Sequence, residues 1–572
     1  MVNQELARIF EEIADLLEIE GADVFRINAY RKAARVIDEL GEDVADVAAR
    51  SELTKIPGIG KGTAEKIQQY LAEGRITVHQ ELRSKLPEGL LTLLTIPGLG
   101  PKKVAALYKQ LKVTTIEQLR SAIAAGQVEK LPGFGAKSVE NILEGIGFLA
   151  SSAGRTPLGI AWEIAENLVR DVAAFPGVRR AEAAGSLRRG RETVGDLDLL
   201  CEAKNGPAVV KAFTKLPHAK KVLAAGDTKG AITVFNPEGG EIQVDLRVVP
   251  AESFGAALQY FTGSKEHNVR LREVAAKKGW KLNEYGLFEG DRVLAGKDEA
   301  GIYKKLGLPF IPPEMREDRG ELAAAKKLPK LVTLADIRGD LHVHTTASDG
   351  RNTIEEMAAA AKARGYCYLA ITEHSKSSVI ANGLSADKLR RHADRIRALG
   401  SKLKGITLLA GIEVDILADG TLDYPDSVLA DLDWVVASIH SAQGQDRKKV
   451  TARTIAAIQN PHVHAIGHPS GRLLGKRDAM DLDWEAVFEA AARSGTALEV
   501  NAAWQRLDLK DVHVRQALEA GCYLAICTDA HATDQLDQMH FGVTTARRGW
   551  AGPDRILNTW TSTQLRKWAT SR

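Results

Sequence analysis

Cysteine is scarce in this chain, with four residues in 572 and no CxxC pair. That argues against a disulfide framework and against a thiolate metal site. Cys201, Cys367, Cys522 and Cys527 lie mostly in apolar runs and read as buried, reduced thiols, which suits a cytoplasmic protein. No apolar stretch approaches the ~20 residues of a membrane span, and Met1–Phe10 lacks the pattern of a secretory signal. A large charge of one sign is missing too. The net charge is only +3, so nucleic-acid binding has to come from local basic features. What remains is the composition of an ordinary folded protein, 44% hydrophobic and 26% charged. A single core rarely grows past ~250–300 residues, so a chain of this length holds several domains.

Histidine is unevenly spread, with eleven of fourteen after Asp340. Just ahead of them, Glu314–Lys330 (EMREDRGELAAAKKLPK) is polar and low in apolar residues. It reads as a linker or a solvated helix, and the main domain boundary is placed there.

One short pattern occurs three times in the N-terminal part: Ile56-Pro-Gly-Ile-Gly60, Ile96-Pro-Gly-Leu-Gly100 and Leu131-Pro-Gly-Phe-Gly135. Each copy precedes a helical segment that bears lysine. Gly58, Gly60, Gly98, Gly100, Gly133 and Gly135 allow a tight turn between two helices. Backbone N–H groups at the start of the second helix then face a phosphate. Lys61, Lys102 and Lys137 add charge without reading bases. A single PGxG is as easily a plain helix connection. Three copies point to sequence-independent DNA binding, and they resemble the helix-hairpin-helix motif.

Next comes GSLRRGRETVGDLDLL, residues 185–200. Asp196 and Asp198 are two apart on a candidate strand and share one face. In IQVDLRVV, residues 242–249, Gln243, Asp245 and Arg247 share a face in the same way. Three like charges held together are costly without compensation, and divalent cations are the economical source of it. A DxD pair alone reads more readily as a turn or a cap. Gly185-Ser186, where a turn can hold a triphosphate, and Arg188 beside it favour a nucleotide site.

Six ordered motifs then resemble family X DNA polymerases of the polymerase beta type: NAYRKAARVI, GSLRRG, GDLDLL, VDLRVVP, YFTGS and LNEYGL, spanning about residues 1–315. The resemblance implies addition of dNTPs to a primer 3′-hydroxyl on gapped or primer-template DNA. Asp196, Asp198 and Asp245 would hold two Mg²⁺ ions. Gly185, Ser186, Arg188 and Arg189 would surround the triphosphate, Tyr260, Phe261 and Gly263 would line the sugar pocket, and Asn268 and Arg272 would reach the base and template side. Two departures stand out. Gln243 occupies the place of an arginine that hydrogen-bonds the metal carboxylates, and Lys265 replaces an aspartate and could contact the nucleotide. Lys66, with Tyr30 beside it, matches the family's Schiff-base lysine for abasic sugar. A lysine that only contacts phosphate fits equally well.

After Asp340, apolar strands alternate with amphipathic helical stretches, as in parallel strands closing into a barrel. His342, His344, His374, Glu413, His440, His468, Asp529 and His531 stand at or just past strand C-terminal ends, the edge where barrels place their chemistry. Asp349 lies in the loop after the first strand. Six histidines and three carboxylates on one rim call for metals. His392, His462, His464, His513 and His540 read as incidental. The series HxH…D…EH…GIEVD…SIH…GHP…TDAH resembles the PHP (polymerase and histidinol phosphatase) domain over residues 336–570. That likeness implies three metals. One would be held by His342, His344, Glu413 and Asp529, the second by Glu413, His440 and His468, and the third by Asp349, His374 and His531. Mn²⁺ or Zn²⁺ suits such mixed nitrogen and oxygen ligands better than Mg²⁺.

The expected fold is therefore multidomain α+β and α/β. Helix-hairpin-helix domains are expected at 1–82 and 83–153, a nucleotidyltransferase palm with a mixed sheet at 154–235, and the rest of the palm with a nucleotide-selection domain at 236–315. A linker at 316–335 and a distorted (β/α)7 barrel at 336–572 complete it. The expected function is gap-filling repair synthesis coupled to 3′→5′ exonuclease or other 3′-end processing, with abasic-site endonuclease activity included, in a monomeric protein. A DNA-end scaffold with a structural barrel and a small-molecule phosphatase are the alternatives.

Overall fold

A computed structural model describes residues 2–38, 44–56, 58–87, 89–94, 96, 99–140, 142, 143, 146, 155–237 and 240–571. Met1–Ala153 forms most of one compact unit, which also takes Gly475–Arg477, and Gly154–Leu474 with Asp478–Arg572 forms the other. The main division thus falls near residue 153 and not at 314–330, because the palm and the barrel are packed together.

The first unit is helical, with two apolar clusters. One is built on Leu6, Phe10, Ile13 and Leu17 of the Val2–Glu20 helix with Ile67 and Leu82. The other gathers Leu90, Val104, Leu107, Leu119, Phe134 and Ile142.

In the second unit a five-stranded sheet runs in the order Val178–Ala183, Asp196–Ala203, Glu241–Val249, Lys229–Phe235, Ala219–Ala225. The second and third of these pair parallel and the other neighbours antiparallel, so the sheet is mixed as expected. Burial alternates along Glu241–Val249, with Ile242, Val244, Leu246 and Val248 inside, which turns Gln243, Asp245 and Arg247 to the other face.

Seven parallel strands follow, each paired to the next in sequence from Gly339–Val343 to Leu524–Cys527. The ring is nearly closed: Val343 bridges Ala530, and the His344 amide donates to the Ala530 carbonyl at 2.8 Å. Leu341, Tyr368, Leu409, Trp434, Ala465, Ala497 and Ala525 supply one residue from each strand to a single buried cluster, which therefore fills the barrel interior. The crossover between the third and fourth strands holds only the one-turn helix Asp426–Leu429, which is the distortion in the barrel.

Residues 316–335 are not a solvated linker. Arg316 is fully buried, donating to Glu299 at 2.6 Å and to the Ile311 carbonyl at 2.9 Å. Glu321 is buried against His267 at 2.7 Å, and Leu331 and Val332 are buried as well. Arg316, Glu317, Arg319 and Glu321 of this stretch are internally paired, while Lys326, Lys327 and Lys330 are exposed. Cys367 is also a correction, since it is exposed while the other three cysteines are buried. Among the described residues no helix is long and apolar enough to cross a membrane.

Candidate active sites

The three hairpins share one backbone geometry. Ile59, Leu99 and Phe134 each donate to the carbonyl three residues back, at 3.0, 3.0 and 3.1 Å. Gly60, Gly100 and Gly135 then accept the first bonds of the following helix, from Thr63, Lys103 and Ser138 at 3.0, 2.9 and 2.8 Å. Gly58 and Gly133 adopt φ of +105° and +86°, where a side chain is strained; Gly98 lies outside the described residues. Gly60 and Gly100 have ordinary φ of −81° and −76°, yet a Cβ there, as at Gly135, would meet nothing within 4 Å. Neither backbone strain nor packing accounts for those glycines. Lys61, Lys102 and Lys137 are exposed beside them. Lys66 donates to the Gly62 carbonyl at 2.9 Å with its ammonium 5.7 Å above the Tyr30 ring.

In the palm, Asp198 and Asp245 are register partners on adjacent parallel strands, with Asp196 two residues before Asp198. Burial first, then the charges of Asp196 and Asp245, push the Asp198 carboxyl up to about 7. That repulsion is what a divalent cation would relieve, so the set fits metal. The missing arginine at Gln243 leaves no gap in support: Gln243 itself donates to Asp245 Oδ2 at 3.0 Å, and Lys229 pairs with Oδ1 at 3.3 Å. Lys229 was not marked by the sequence, because only the antiparallel pairing of the Lys229–Phe235 strand brings it there.

Gly185 begins a single helical turn with φ +63°, and a Cβ on it would stand 2.2 Å from Asp198 Oδ2. Ser186 is half-buried on that turn. Arg188, expected around the triphosphate, is instead engaged by Glu299 at 2.7 and 3.0 Å and by Thr262 at 2.7 Å. Arg189 donates to Glu317 at 3.1 Å and to the Thr262 carbonyl at 2.5 Å. Tyr260 and Phe261 stack edge to face with centroids 5.2 Å apart, and Asn268 donates to the Tyr260 carbonyl at 2.7 Å. Gly263 is buried, while Lys265 and Arg272 are exposed on the next helix, Lys265–Ala276.

All nine expected barrel residues converge at the C-terminal mouth. Glu413 lies 2.7 Å from His374, 3.0 Å from His468, 3.3 Å from His440 and 3.5 Å from His342. Asp529 lies 3.1 Å from His344 and 3.6 Å from His342, and Asp349 lies 3.4 Å from His531 and 3.5 Å from His374. The partition is less clean than expected: His344 groups both with His342 and Asp529 and with Asp349, His374 and His531, while His374 also groups with Glu413 and His440. His344 is stacked between His374 and His531, with centroids 4.3 and 4.2 Å away.

The donor chemistry fits cations. His342 Nε2, His344 Nδ1 and His468 Nδ1 are buried without a hydrogen-bond partner among the described residues, while His374 Nδ1 faces Glu413 Oε2 at 2.7 Å. Burial opposes charge on His440, yet Glu413 and Asp415 raise it to about 9. Burial and its neighbours His531 and His374 drive His344 down to about 4. The carboxylates draw protons onto some rings to balance their charge, a balance that metal ions would supply. Two of these residues carry strained backbone, His468 at φ +27° and Asp529 at φ +54°.

Several residues around the rim carried no mark in the sequence. Asp415 holds His440 Nδ1 at 2.6 Å and takes hydroxyl bonds from Ser375, Ser377 and Ser378. Glu499 holds His342 Nδ1 at 2.7 Å. Both orient an imidazole from behind. Arg506 sits 3.7 Å from Asp529, and its Nη1 is buried without a hydrogen-bond partner among the described residues. Asp415 and Glu499 stood within the GIEVD and TALEVN strands, but their spacing carried no ligand signal. His392 pairs with Glu373 at 3.2 Å, while His464, His513 and His540 pack on Trp434, Trp484 and Phe541.

Over 560 residues the sequence is 41% identical to the DNA polymerase/3′-5′ exonuclease PolX of Bacillus subtilis (strain 168), covering 98% of this chain and 97% of that protein. The chain belongs to the PolX family of family X DNA polymerases with a C-terminal PHP domain. Family models place the PolX parts along it: a helix-hairpin-helix domain at 1–76, a SAM-like helix-hairpin-helix tandem at 90–147, the DNA polymerase beta thumb at 257–317 and the PHP domain at 340–503. Rat DNA polymerase lambda is 27% identical over 348 residues, 55% of this chain and 56% of its own length. A probable phosphatase of Thermoanaerobacter sp. (strain X514) is 29% identical over 231 residues, 38% of this chain and 89% of its own.

Proposed function

We propose that this chain is a DNA-directed DNA polymerase that fills gaps during repair, and that its PHP barrel is a metal-dependent 3′→5′ exonuclease acting on DNA 3′ ends. One observation carries the reading: two separate carboxylate centres stand in one compact unit, the Asp196, Asp198 and Asp245 face of the palm and the nine-residue rim of the barrel.

Asp196, Asp198 and Asp245 are the residues to hold two Mg²⁺ ions. His342, His344, Asp349, His374, Glu413, His440, His468, Asp529 and His531 are those to hold Mn²⁺ or Zn²⁺. Bound cations at such sites neutralise charge on phosphate and lower the pKa of the attacking hydroxyl or water. The chain's own groups supply position. Ser186 and Arg189 take the triphosphate, Arg189 exchanging Glu317 for a phosphate oxygen. The Tyr260–Phe261 pair leaves no room for a 2′-hydroxyl and so selects deoxynucleotides by size, with Gly263 beneath them. Asn268 and Arg272 reach the base and template side, and Lys265 contacts the nucleotide. Arg188 acts from behind, holding this loop to Glu299. In the barrel, Asp415 and Glu499 fix the ligand tautomers, and Arg506 meets the phosphodiester. The hairpins around Gly60, Gly100 and Gly135 grip the DNA backbone.

The test is a labelled gapped duplex incubated with Mg²⁺ or Mn²⁺ and wild type, Asp196→Ala/Asp198→Ala or His344→Ala. Extension is lost only in the double variant, and 3′ trimming only in the last. Loss of trimming in both, or in neither, would refute two independent sites. The Thermoanaerobacter relative favours a second reading for the barrel, hydrolysis of small phosphomonoesters. A phosphomonoester turned over faster than a DNA 3′ end would establish it.

A further inference from the structure

The loop assigned to the triphosphate is braced from behind by the barrel. The barrel helix Met539–Arg548 ends in Arg548, whose side chain is 4% exposed. Its Nη1 donates to the Arg189 carbonyl at 2.6 Å and to Glu317 Oε1 at 2.9 Å. That same Glu317 oxygen accepts from Arg189 Nε at 3.1 Å. One barrel arginine therefore holds both the backbone of Arg189 and the carboxylate that aims its guanidinium. Arg548 is fixed in turn by Asp511, which takes its Nε and Nη2 at 3.0 and 2.7 Å and also pairs with Arg319 at 2.9 Å.

Two further ties lie alongside. A Cβ on Gly190, at φ +65°, would come 2.1 Å from Thr544 Cγ2 on the same barrel helix, so palm backbone and barrel side chain are in direct contact. Glu192 pairs with barrel Arg472 at 2.8 Å. Four donor bonds from one buried guanidinium to two carboxylate oxygens and a carbonyl form a rigid fork, not a loose surface pair.

We propose that Arg548 is a positioning residue for the polymerase reaction: the PHP barrel sets where the nucleotide-binding arginine, Arg189, stands before a dNTP arrives. This rests on the assignment of Arg189 to the triphosphate given above. The incoming phosphate competes with Glu317 for Arg189. Arg548 shares that carboxylate, which weakens its hold on Arg189, and it keeps the loop backbone fixed during the exchange. Without Arg548, Glu317 has one cation fewer and holds Arg189 more tightly, on a loop that is no longer pinned.

The experiment compares wild type with Arg548→Ala and Arg548→Lys as full chains, measuring dNTP KM and kcat in gap filling together with 3′ trimming and melting temperature. Arg548→Ala should raise the dNTP KM by about tenfold, the size of one charge-assisted hydrogen bond, with kcat and trimming near wild type. Arg548→Lys keeps the charge and one donor and should recover part of the KM; it carries the test alone if the alanine variant folds poorly. An unchanged KM overturns the proposal. So does a parallel fall in extension, trimming and melting temperature in the lysine variant, which marks Arg548 as a general packing residue. Asp196→Ala/Asp198→Ala run beside it separates the two readings: surviving extension there defeats the palm assignment, whereas a dead double variant with an unchanged Arg548→Ala KM defeats only this inference.

Discussion

Gly185→Ala places one methyl group against a candidate catalytic carboxylate. The new Cβ would lie 2.2 Å from Asp198 Oδ2, where ordinary contact begins at 3.4 Å. Either the carboxylate or the turn must therefore move by about 1 Å, on a scale where such misplacement costs roughly 10²-fold in rate. Alanine at φ +63° adds strain of about 1–2 kcal/mol, paid in folding stability and not in chemistry. The assay is single-nucleotide gap filling under steady state, with trimming of a 3′ end as the internal control and melting temperature measured in parallel. The expected result is kcat lowered about a hundredfold, trimming retained and a melting temperature a few degrees lower. Extension within about threefold of wild type would show that Asp198 need not sit where it does, and would refute this contact as a determinant of rate.

Asp415→Ala removes the acceptor that orients His440, so trimming should drop by about 10–100-fold while extension stays intact, as read on the two labelled substrates. Chelation should lower the melting temperature and strip metal measurable by elemental analysis, and it should expose a pH dependence. In the cation-free barrel His440 is raised to about 9, so its contribution to stability is complete below the unfolded value of about 6.5 and is lost as pH climbs through about 9. Melting curves of the chelated protein should fall across that window, and those of the metal-loaded protein should not. Gly100→Val leaves a permitted φ but fills the open space in front of the second hairpin, so DNA affinity should weaken for all sequences alike, with the salt slope reduced by about one. Titration by fluorescence anisotropy at several salt concentrations reads both.

The barrel rim was legible because metal ligands are a narrow chemical class. HxH and TDAH at strand ends have few uses besides holding cations, and all nine side chains meet. The hairpins were legible because one pattern recurs three times, with glycines that permit a tight turn ahead of a lysine-bearing helix. The supporting layer was not. Glu499 reaches His342 across 157 positions, and an isolated glutamate in an apolar strand carries no trace of that partner. Lys229 meets Asp245 only through strand register. The segment after Glu314 misled for the opposite reason. Its charges signal solvent in sequence, and only the fold shows that Arg316 and Glu321 are buried with partners of their own.

The seam where the last barrel strand meets the first has a consequence for biosynthesis. Asp529 and His531 come from beyond Leu524–Cys527, while their companions His342 and His344 come from the opening strand. Until Asp529 and His531 emerge from the ribosome no nascent chain carries the complete ligand set, and they emerge after Asp196, Asp198 and Asp245. The palm carboxylates are thus made before the barrel's ligand set is complete, and Arg548 follows later still.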